Sequence, residues 1–413
     1  MKKILALALA ASLLAGAALA QTTLTVGVFE PHQDHLERVL DVFYAEHPDI
    51  MVEIRTLGFG DHHDLLVTNL ATGSGAADVV VIEIGYIARF IAEGGLRDLS
   101  EPPFNADQYE DLFVDYAWAQ GRSADGRQVA MPTDIAPGTM FYRRDHLEAS
   151  GWTIEQVTES MESYLDYGRH LQGEGVFLVA NAASVADGLI RSEIPAGDGI
   201  FFGADGQPLL NSERFLEAAR IAQTIRNEGL DAEIGAWSNE WFEAFQRGTT
   251  ATELSGAWLA GHLQNWMAPD TAGMWGASVV PGDLMVSWGG SFWGIPTQTP
   301  DAKLDAAWDF IRFLTTNPEI QLAAFHNIDA FPAMPATYDD PMFSEELAFL
   351  GGQPARELWA TIAERIPGVL THQGDVIANE IWESALGEIL NEGRDIQAAL
   401  NEAQMLVERR VRR

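Results

Sequence analysis

The sequence predicts an α/β protein of at least two lobes, and three observations carry that expectation. Its first hundred residues alternate strand-like and helix-like patterns in β-α-β-α-β order. The third strand, Asp78-Val79-Val80-Val81-Ile82, is almost wholly apolar, as expected of a parallel sheet covered on both faces. Of the 413 residues, 393 remain once a 20-residue leader is set aside, more than a single hydrophobic core usually organises.

The elements follow in order. "MKKILALALAASLLAGAALAQ" has a basic start at Lys2 and Lys3, a short apolar run, and Ala18-Leu19-Ala20 as an A-x-A cleavage site before Gln21. Residues 1–20 therefore read as an export signal, too short for a comfortable membrane span. The chain has no cysteine, so it offers neither a lipid attachment site nor a disulfide, and a free periplasmic protein is expected. Loss of the two leader lysines takes the net charge from −35 to −37. A balance this acidic repels nucleic acid and anionic membranes and says nothing about fold. The sequence has no internal repeat and no low-complexity segment.

Thr23–Phe29 alternates and is β-rich. His35–His47 places Leu36, Val39, Leu40 and Phe43 on one helical face and stops before Pro48. Ile50–Leu57 reads as the second strand. Asp61 is placed to cap a helix through Leu65, Leu66 and Leu70, closed by Gly73 and Gly75. Ligands of such sheets sit outside the carboxyl ends of the strands. Glu83 follows the third strand directly, and Glu30 and His32 follow the first. At the far end, Ile381–Val411 shows helical spacing broken at Gly393, with Asp395 as the cap of a final amphipathic helix. The terminal "ERRVRR" suits a solvated helix C-terminus.

With these elements in place, "ADVVVIEIGYIARFIAEGGLRDLS", Ala77 to Ser100, resembles the first-lobe signature of extracellular solute-binding proteins of ABC importers. The group most similar binds sugars and oligosaccharides and is related to maltose-binding protein. Further blocks follow in that family's order. They are "VAMPTDIAPGTMFYRRDHLEASGW" from Val129, "FQRGTTATELSGAWLAGHL" from Phe245, and "GGSFWGIPTQTPDAKLDAAWDFIRFLTTNPEIQ" from Gly289. "FPAMPATYDDPMF" and the terminal "ALGEILNEGRDIQAALNEAQ" complete the pattern. The resemblance implies a type II periplasmic-binding-protein fold, two α/β lobes joined by hinge strands that close over a ligand. It places residues 21–131 and 286–332 in the first lobe and 132–285 and 333–413 in the second. The crossings then fall near Pro132, Val286 and Pro332. The family's usual state, a monomer that delivers its ligand to a membrane permease, is the expectation here too.

A sugar offers apolar C–H faces and a rim of hydroxyls, so its site needs flat aromatic rings with carboxylates and amides around them. Trp258, in "SGAWLAGHL", stands where the family has a stacking tryptophan, and is the leading candidate. In "SWGGSFWGIP" the family often has its tryptophan directly after the double glycine. Here Ser291 holds that place, flanked by Trp288 and Trp293. Strand alternation puts Ser291 and Trp293 on one side and Phe292 on the other, and Trp293 is the indole expected to stack. The glycines would let the cleft wall come close to the ligand. Glu83 matches a family position that usually holds an aspartate. Asp134, two residues after Pro132, is a second candidate acid, or a plain loop acid. Asp61 reads either as a ligand contact or as a plain N-cap. Trp237 and Trp241 are one helical turn apart, a core pattern, although Trp237 is also placed to line the cleft. Tyr142 is expected beneath the second lobe's sheet, and Met334 supplies no polar group where some relatives have one.

No metal and no cofactor are expected: the adjacent histidines of "DHHD", Asp61 to Asp64, point to different sides and lack a ligand spacing. Three functions compete. The first is a non-enzymatic carrier of a neutral di- or oligosaccharide. The second is a secreted glycan-active enzyme, which needs two carboxylates, with Glu83 and Asp134 as nominees. The third is a carrier of the same fold for a polyamine, which the acidic candidates allow. Bound uronates would need local relief of the negative charge, from Arg55, Arg143 or Arg144.

Overall fold

Parallel pairing of β1 (Thr22–Phe29) with β2 (Ile50–Leu57), from Thr22↔Ile50 to Phe29↔Leu57, founds the first lobe. The computed structural model describes residues 21–123, 125–195 and 197–411. The export signal expected over residues 1–20 lies outside them. Among the described residues no helix is long and apolar enough to cross a membrane.

β3 (Val79–Glu83) joins the other side of β1, again parallel. Helices His32–Glu46 and Phe59–Thr72 make the two crossovers. Both start earlier than the periodicity suggested. His32, with no apolar signal of its own, opens the first helix directly after Pro31, and Gly58 rather than Asp61 is the N-cap of the second. Asp61 lies in the first turn, exposed, in a helix with no side-chain cap bond.

Two long strands then tie the molecule together. β4 (Ala130–Arg143) pairs antiparallel with β8 (Ser287–Gly294) over its first half, Ala130↔Gly294 to Pro137↔Ser287. From Gly138 onward it pairs instead with β6 (Thr250–Gly256) and β7 (Trp275–Ser278). β5 (Phe177–Val179) runs parallel to β6 and ends that side, while β9 (Phe331–Pro332) pairs with Asp134 and Ile135 of β4. The path reads β2-β1-β3-β8-β4-β6-β5. The exchange of partners occurs at a crowded point, where a Cβ on Gly138 would lie 2.7 Å from the Val286 Cβ. Glycine is required there by space.

The core does not divide along that line, since one apolar cluster runs from the first lobe to Phe141, Trp241, Phe245 and Trp275 around the second half of β4 and β7. β1, β3 and the helices Leu304–Thr316 and Pro318–Ile328 bury Val26, Val81, Trp293 and Phe310. Met140, Tyr164, Phe215 and Trp382 belong to a separate apolar cluster around β5 and β6. That cluster also takes up the terminal helices Asp375–Glu392 and Ile396–Val411, through Ala385, Leu400 and Val407. Between them Gly393 adopts φ 67° and Asp395 accepts the Ala398 N–H at 2.9 Å, so the break and the cap fall where the sequence put them. Tyr142 packs against this cluster, and its ring fills the space a side chain on Gly276 would need.

Candidate functional site

At the carboxyl end of β3 the chain turns into helix Ile84–Glu93, and Glu83 is its N-cap. The Glu83 Oε2 accepts the Gly85 N–H at 2.7 Å, while its own N–H donates to His63 Nε2 at 3.1 Å. His63 Nδ1 bonds the Phe59 carbonyl at 2.8 Å, which fixes the neutral tautomer with the proton on Nδ1. His62 bonds the Val81 carbonyl through Nε2. Both histidines of "DHHD" therefore hold backbone. Burial pushes His63 down to about 4. Among the described residues no three His, Cys, Asp or Glu side chains are grouped to hold a metal ion.

Glu83 opens onto a cavity of about 290 Å³ between the two halves of the molecule. Tyr86 and Trp288 give it rings, and Arg191, Asp375 and Asn379 face it from the opposite side. Tyr86 is three residues beyond the Glu83 cap, so one helical turn sets both on the cavity wall. Asp375 and Asn379 are four apart on the first turn of helix Asp375–Glu392, hence on one face. Arg191 follows helix Ala182–Ile190 and reaches Asp187 with bonds of 3.3 and 3.4 Å, long enough to leave its guanidinium available.

The electrostatics of the cavity are dominated by withdrawal from water. Burial pushes the Glu83 carboxyl up to about 7, against the opposing pull of the Gly85 N–H and Arg191. Asp375 is pushed to about 7 for the same reason, held back by the His372 N–H and Arg191. Its Oδ1 has no partner among the described residues. The cavity thus presents two acceptors with unused capacity, an amide, a guanidinium and two rings.

The other candidates fall in three places. Ser291 lies between Glu83 on β3 and Asp134 on β4, directly opposite both in register, so the three form one polar row across three strands. Burial raises Asp134 to about 7, with Ser291 beside it lowering and Glu83 raising it further. Its Oδ1 also lacks a partner among the described residues. Trp293 shares the Ser291 face, as alternation required, but two residues deeper it is 1% exposed. There it meets His32 and Phe310 edge to face, away from the cavity, and His32 is buried against Phe29 as well. The indole that lines the cavity is Trp288, at the open end of β8, with its ring against Gly188.

Trp258 follows β6 and turns back over Gly256; its Nε1–H donates to the Trp288 carbonyl at 3.1 Å. Trp237, 54% exposed, stacks on it at 5.7 Å and 18°, and His262 meets both rings edge-on. These form an aromatic ladder beside the cavity rather than its lining. Asp61 is exposed and does not line the cavity, although His63, two residues on, accepts the Glu83 N–H. The arginines considered for charge relief are elsewhere: Arg55 bonds Glu53 on β2, and Arg143 is buried against Asp145. Met334 is buried, with no polar contact to offer.

Sequence reasoning missed Tyr86, Arg191, Asp375 and Asn379. Tyr86 was open to discovery, since position N3 of a capped helix always lies near its cap. Arg191 was not: Asp187 and Arg191 at i,i+4 look like any surface ion pair.

A cleft between two α/β halves joined by shared strands defines the class of two-lobed ligand-capturing proteins. Residues 39–350 match the bacterial extracellular solute-binding proteins, and the chain belongs to that family, one of binding proteins rather than enzymes, secreted or periplasmic. It is similar to a lactose-binding protein of Rhizobium radiobacter, 23% identical over 87% of this chain and 86% of that one. It is 22% identical to an arabinooligosaccharide-binding protein of Halalkalibacterium halodurans, over 91% of this chain and 86% of that one. A solved family 1 extracellular solute-binding protein superposes with a TM-score of 0.83 at 23% identity, covering 94% of this chain and 99% of that one. The fold is therefore the type II binding-protein fold.

Proposed function

We propose that this chain is the substrate-binding component of an ABC importer, carrying a neutral di- or oligosaccharide to its membrane permease. The observation that carries the reading is the composition of the interlobe cavity: Trp288 and Tyr86 supply apolar faces, and Glu83, Asp375 and Asn379 supply hydroxyl partners. Relatives named for lactose and arabino-oligosaccharides support it. Groups from both halves face one cavity, so a sugar bound there favours the closed arrangement by its differential contacts.

The lobe boundaries given above belong to this proposal; β4, which carries the first crossing near Pro132, changes partners a few residues on, between Pro137 and Gly138. The protein acts as a periplasmic monomer after removal of residues 1–20, without cofactor, nucleic acid or membrane contact of its own. It is not an enzyme. The family is one of binding proteins, and the competing reading, a glycosidase built on Glu83 and Asp134, is separated from it by analysing the sugar after binding.

The test is a calorimetric titration of the chain from Gln21 with lactose, arabino-oligosaccharides and spermidine, with the sugars analysed afterwards. Saturable binding of an intact saccharide is the expected result. Binding of spermidine alone, or hydrolysis of the saccharide, would overturn the reading.

A further inference from the structure

β3 outruns the pairing of its neighbour. Its last partner on β1 is Gly27, opposite Val80, although β1 continues to Phe29 and β3 to Glu83. Val81 and Glu83, two residues apart, turn their backbone groups to that same side. Side chains meet them there in place of a strand. The Val81 carbonyl bonds His62 Nε2 at 2.8 Å, and the Glu83 N–H donates to His63 Nε2 at 3.1 Å. Two adjacent histidines of helix Phe59–Thr72 thus finish the edge of β3 where it enters the cavity.

The second of these rings reaches the cavity by another route as well. His63 stacks on Tyr86 at 4.1 Å and 13°, and Tyr86 lines the Glu83 cavity. The imidazole is itself immobile: it is buried, tied through Nδ1 to the Phe59 carbonyl, and enclosed by Phe29, Phe59 and His62 at 4.7 to 5.2 Å. The titratable groups around it are His62 on its own helix, Glu83 on β3, Tyr86 on helix Ile84–Glu93 and His32 on the first crossover helix. Burial holds His32 at about 3 and His63 at about 4, so at neutral pH the ring is an uncharged acceptor. One fixed ring therefore holds both the backbone that carries the acid and the plane of the phenol.

We propose that His63 is a positioning residue of the ligand site, setting the Glu83 carboxylate through the Glu83 N–H and the Tyr86 ring by stacking. It touches no ligand itself. The inference rests on the reading of the Glu83 cavity as the binding site and adds to it the group that holds two of its walls in register. The role needs two properties of a neutral imidazole, a flat face and an unprotonated nitrogen at its far edge. Phenylalanine supplies the first alone, and glutamine the second alone.

Substitution takes the two tasks apart. The titration midpoint of the Glu83 carboxyl is followed by carbon NMR in the ligand-free chain from Gln21, and affinities for lactose and arabinobiose are measured by calorimetry. His63→Phe keeps the stack and leaves the Glu83 N–H unanswered. Its carboxyl should turn toward water, so the midpoint should fall by about one pH unit or more, and saccharide affinity should drop about tenfold. His63→Gln keeps the acceptor, so the midpoint should match the wild type while affinity falls only several-fold, through Tyr86. An unchanged midpoint in His63→Phe, or equal falls in both variants, overturns the proposal. If His63→Phe does not fold, a nitrogen–nitrogen coupling across the bond from the Glu83 N–H to His63 Nε2 in the wild type decides: its presence supports the proposal and its absence overturns it. Glu83→Gln keeps the two failures apart. If neither sugar binds the wild type, or Glu83→Gln binds as tightly, the reading of the cavity falls, and the midpoints still decide whether His63 sets Glu83.

Discussion

Glu83 Oε1 and Trp258 Nε1 lie 4.0 and 3.7 Å from a single point, the position a Cβ on Gly289 would occupy. An acid from β3 and an indole from beyond β6 thus approach each other across one bare stretch of β8. Gly289 has φ 128° and Gly290 φ 139°, a backbone only glycine adopts without strain. The glycines of "WGGSFW" serve close approach between the protein's own halves as much as approach of a ligand.

Gly289→Ala should therefore weaken saccharide binding about tenfold, because its methyl group, 3.3 Å from the Ala136 Cβ, wedges the seam open. Its stability cost should be about 1–3 kcal/mol, the usual cost of such a conformation. Gly290→Ala should cost more, since its Cβ would lie 2.9 Å from the Asp134 carbonyl oxygen. Titration and denaturant melts of both variants check this; wild-type affinity in Gly289→Ala would show that the contact is immaterial.

The two indoles should separate by experiment. Trp288 lines the cavity, so Trp288→Phe, which keeps a ring against Gly188, should lower affinity roughly tenfold with little change in Tm. Trp258 supports the Trp288 carbonyl and carries Trp237, so Trp258→Phe should act on binding only through position. Equal affinity losses in the two variants would restore Trp258 to the ligand surface.

Binding should depend on pH. Sugar hydroxyls donate to ionised carboxylates, and burial holds Glu83 and Asp375 at about 7 in the empty protein. At pH 5.5 each must lose a proton when a ligand donates to it, so affinity should be about tenfold or more lower than at pH 8. Titration in two buffers of different ionisation enthalpy would reveal proton release at pH 6.5; its absence would mean the carboxyls do not accept from the ligand.

Glu253, on β6 and 3% exposed, is pushed up to about 8 by burial, against hydrogen bonds from Trp241, the Ala180 amide and Ser184. Its folded value is raised, so its contribution is complete below the unfolded value near 4.5 and is lost as pH rises through about 8. Glu253→Gln should raise Tm relative to the wild type at pH 8, by on the order of 1 kcal/mol in stability, and leave it nearly unchanged at pH 4.5. A pH-independent difference in thermal melts would contradict this.

His35 works with the opposite sign. Burial lowers it to about 4, so the unfolded chain takes its proton first, near 6.5, and stability is lost as pH falls from 6.5 to 4. His35→Gln removes that loss. Its Tm difference from the wild type should be more favourable at pH 5 than at pH 7.5, whatever the constant cost of disturbing the contact with Asn327.

Much of this was legible in the chain, for local reasons. The order of the first five elements follows from periodicity, and Glu83 from the rule that ligands gather at strand ends. Trp293 was misjudged because alternation reports the side of a strand and not the depth along it. The Ser291 side is cleft at one end of β8 and core two residues later. Asp61 was misplaced as a cap because Gly58 and Phe59 carry no helix-start signal, yet the helix begins there. The far wall, Arg191, Asp375 and Asn379, comes from helices almost two hundred residues apart in sequence. No local pattern marks a contact made only by tertiary packing.

β4 gives its first half to one sheet and its second half to the other. A lobe cut from this chain would leave behind an unpaired edge, so neither half is a portable module. Heating should dissolve both in one calorimetric transition rather than two, and a genetic exchange of one lobe would have to carry the whole strand with it. The strand shared by the two halves makes them a single unit of inheritance.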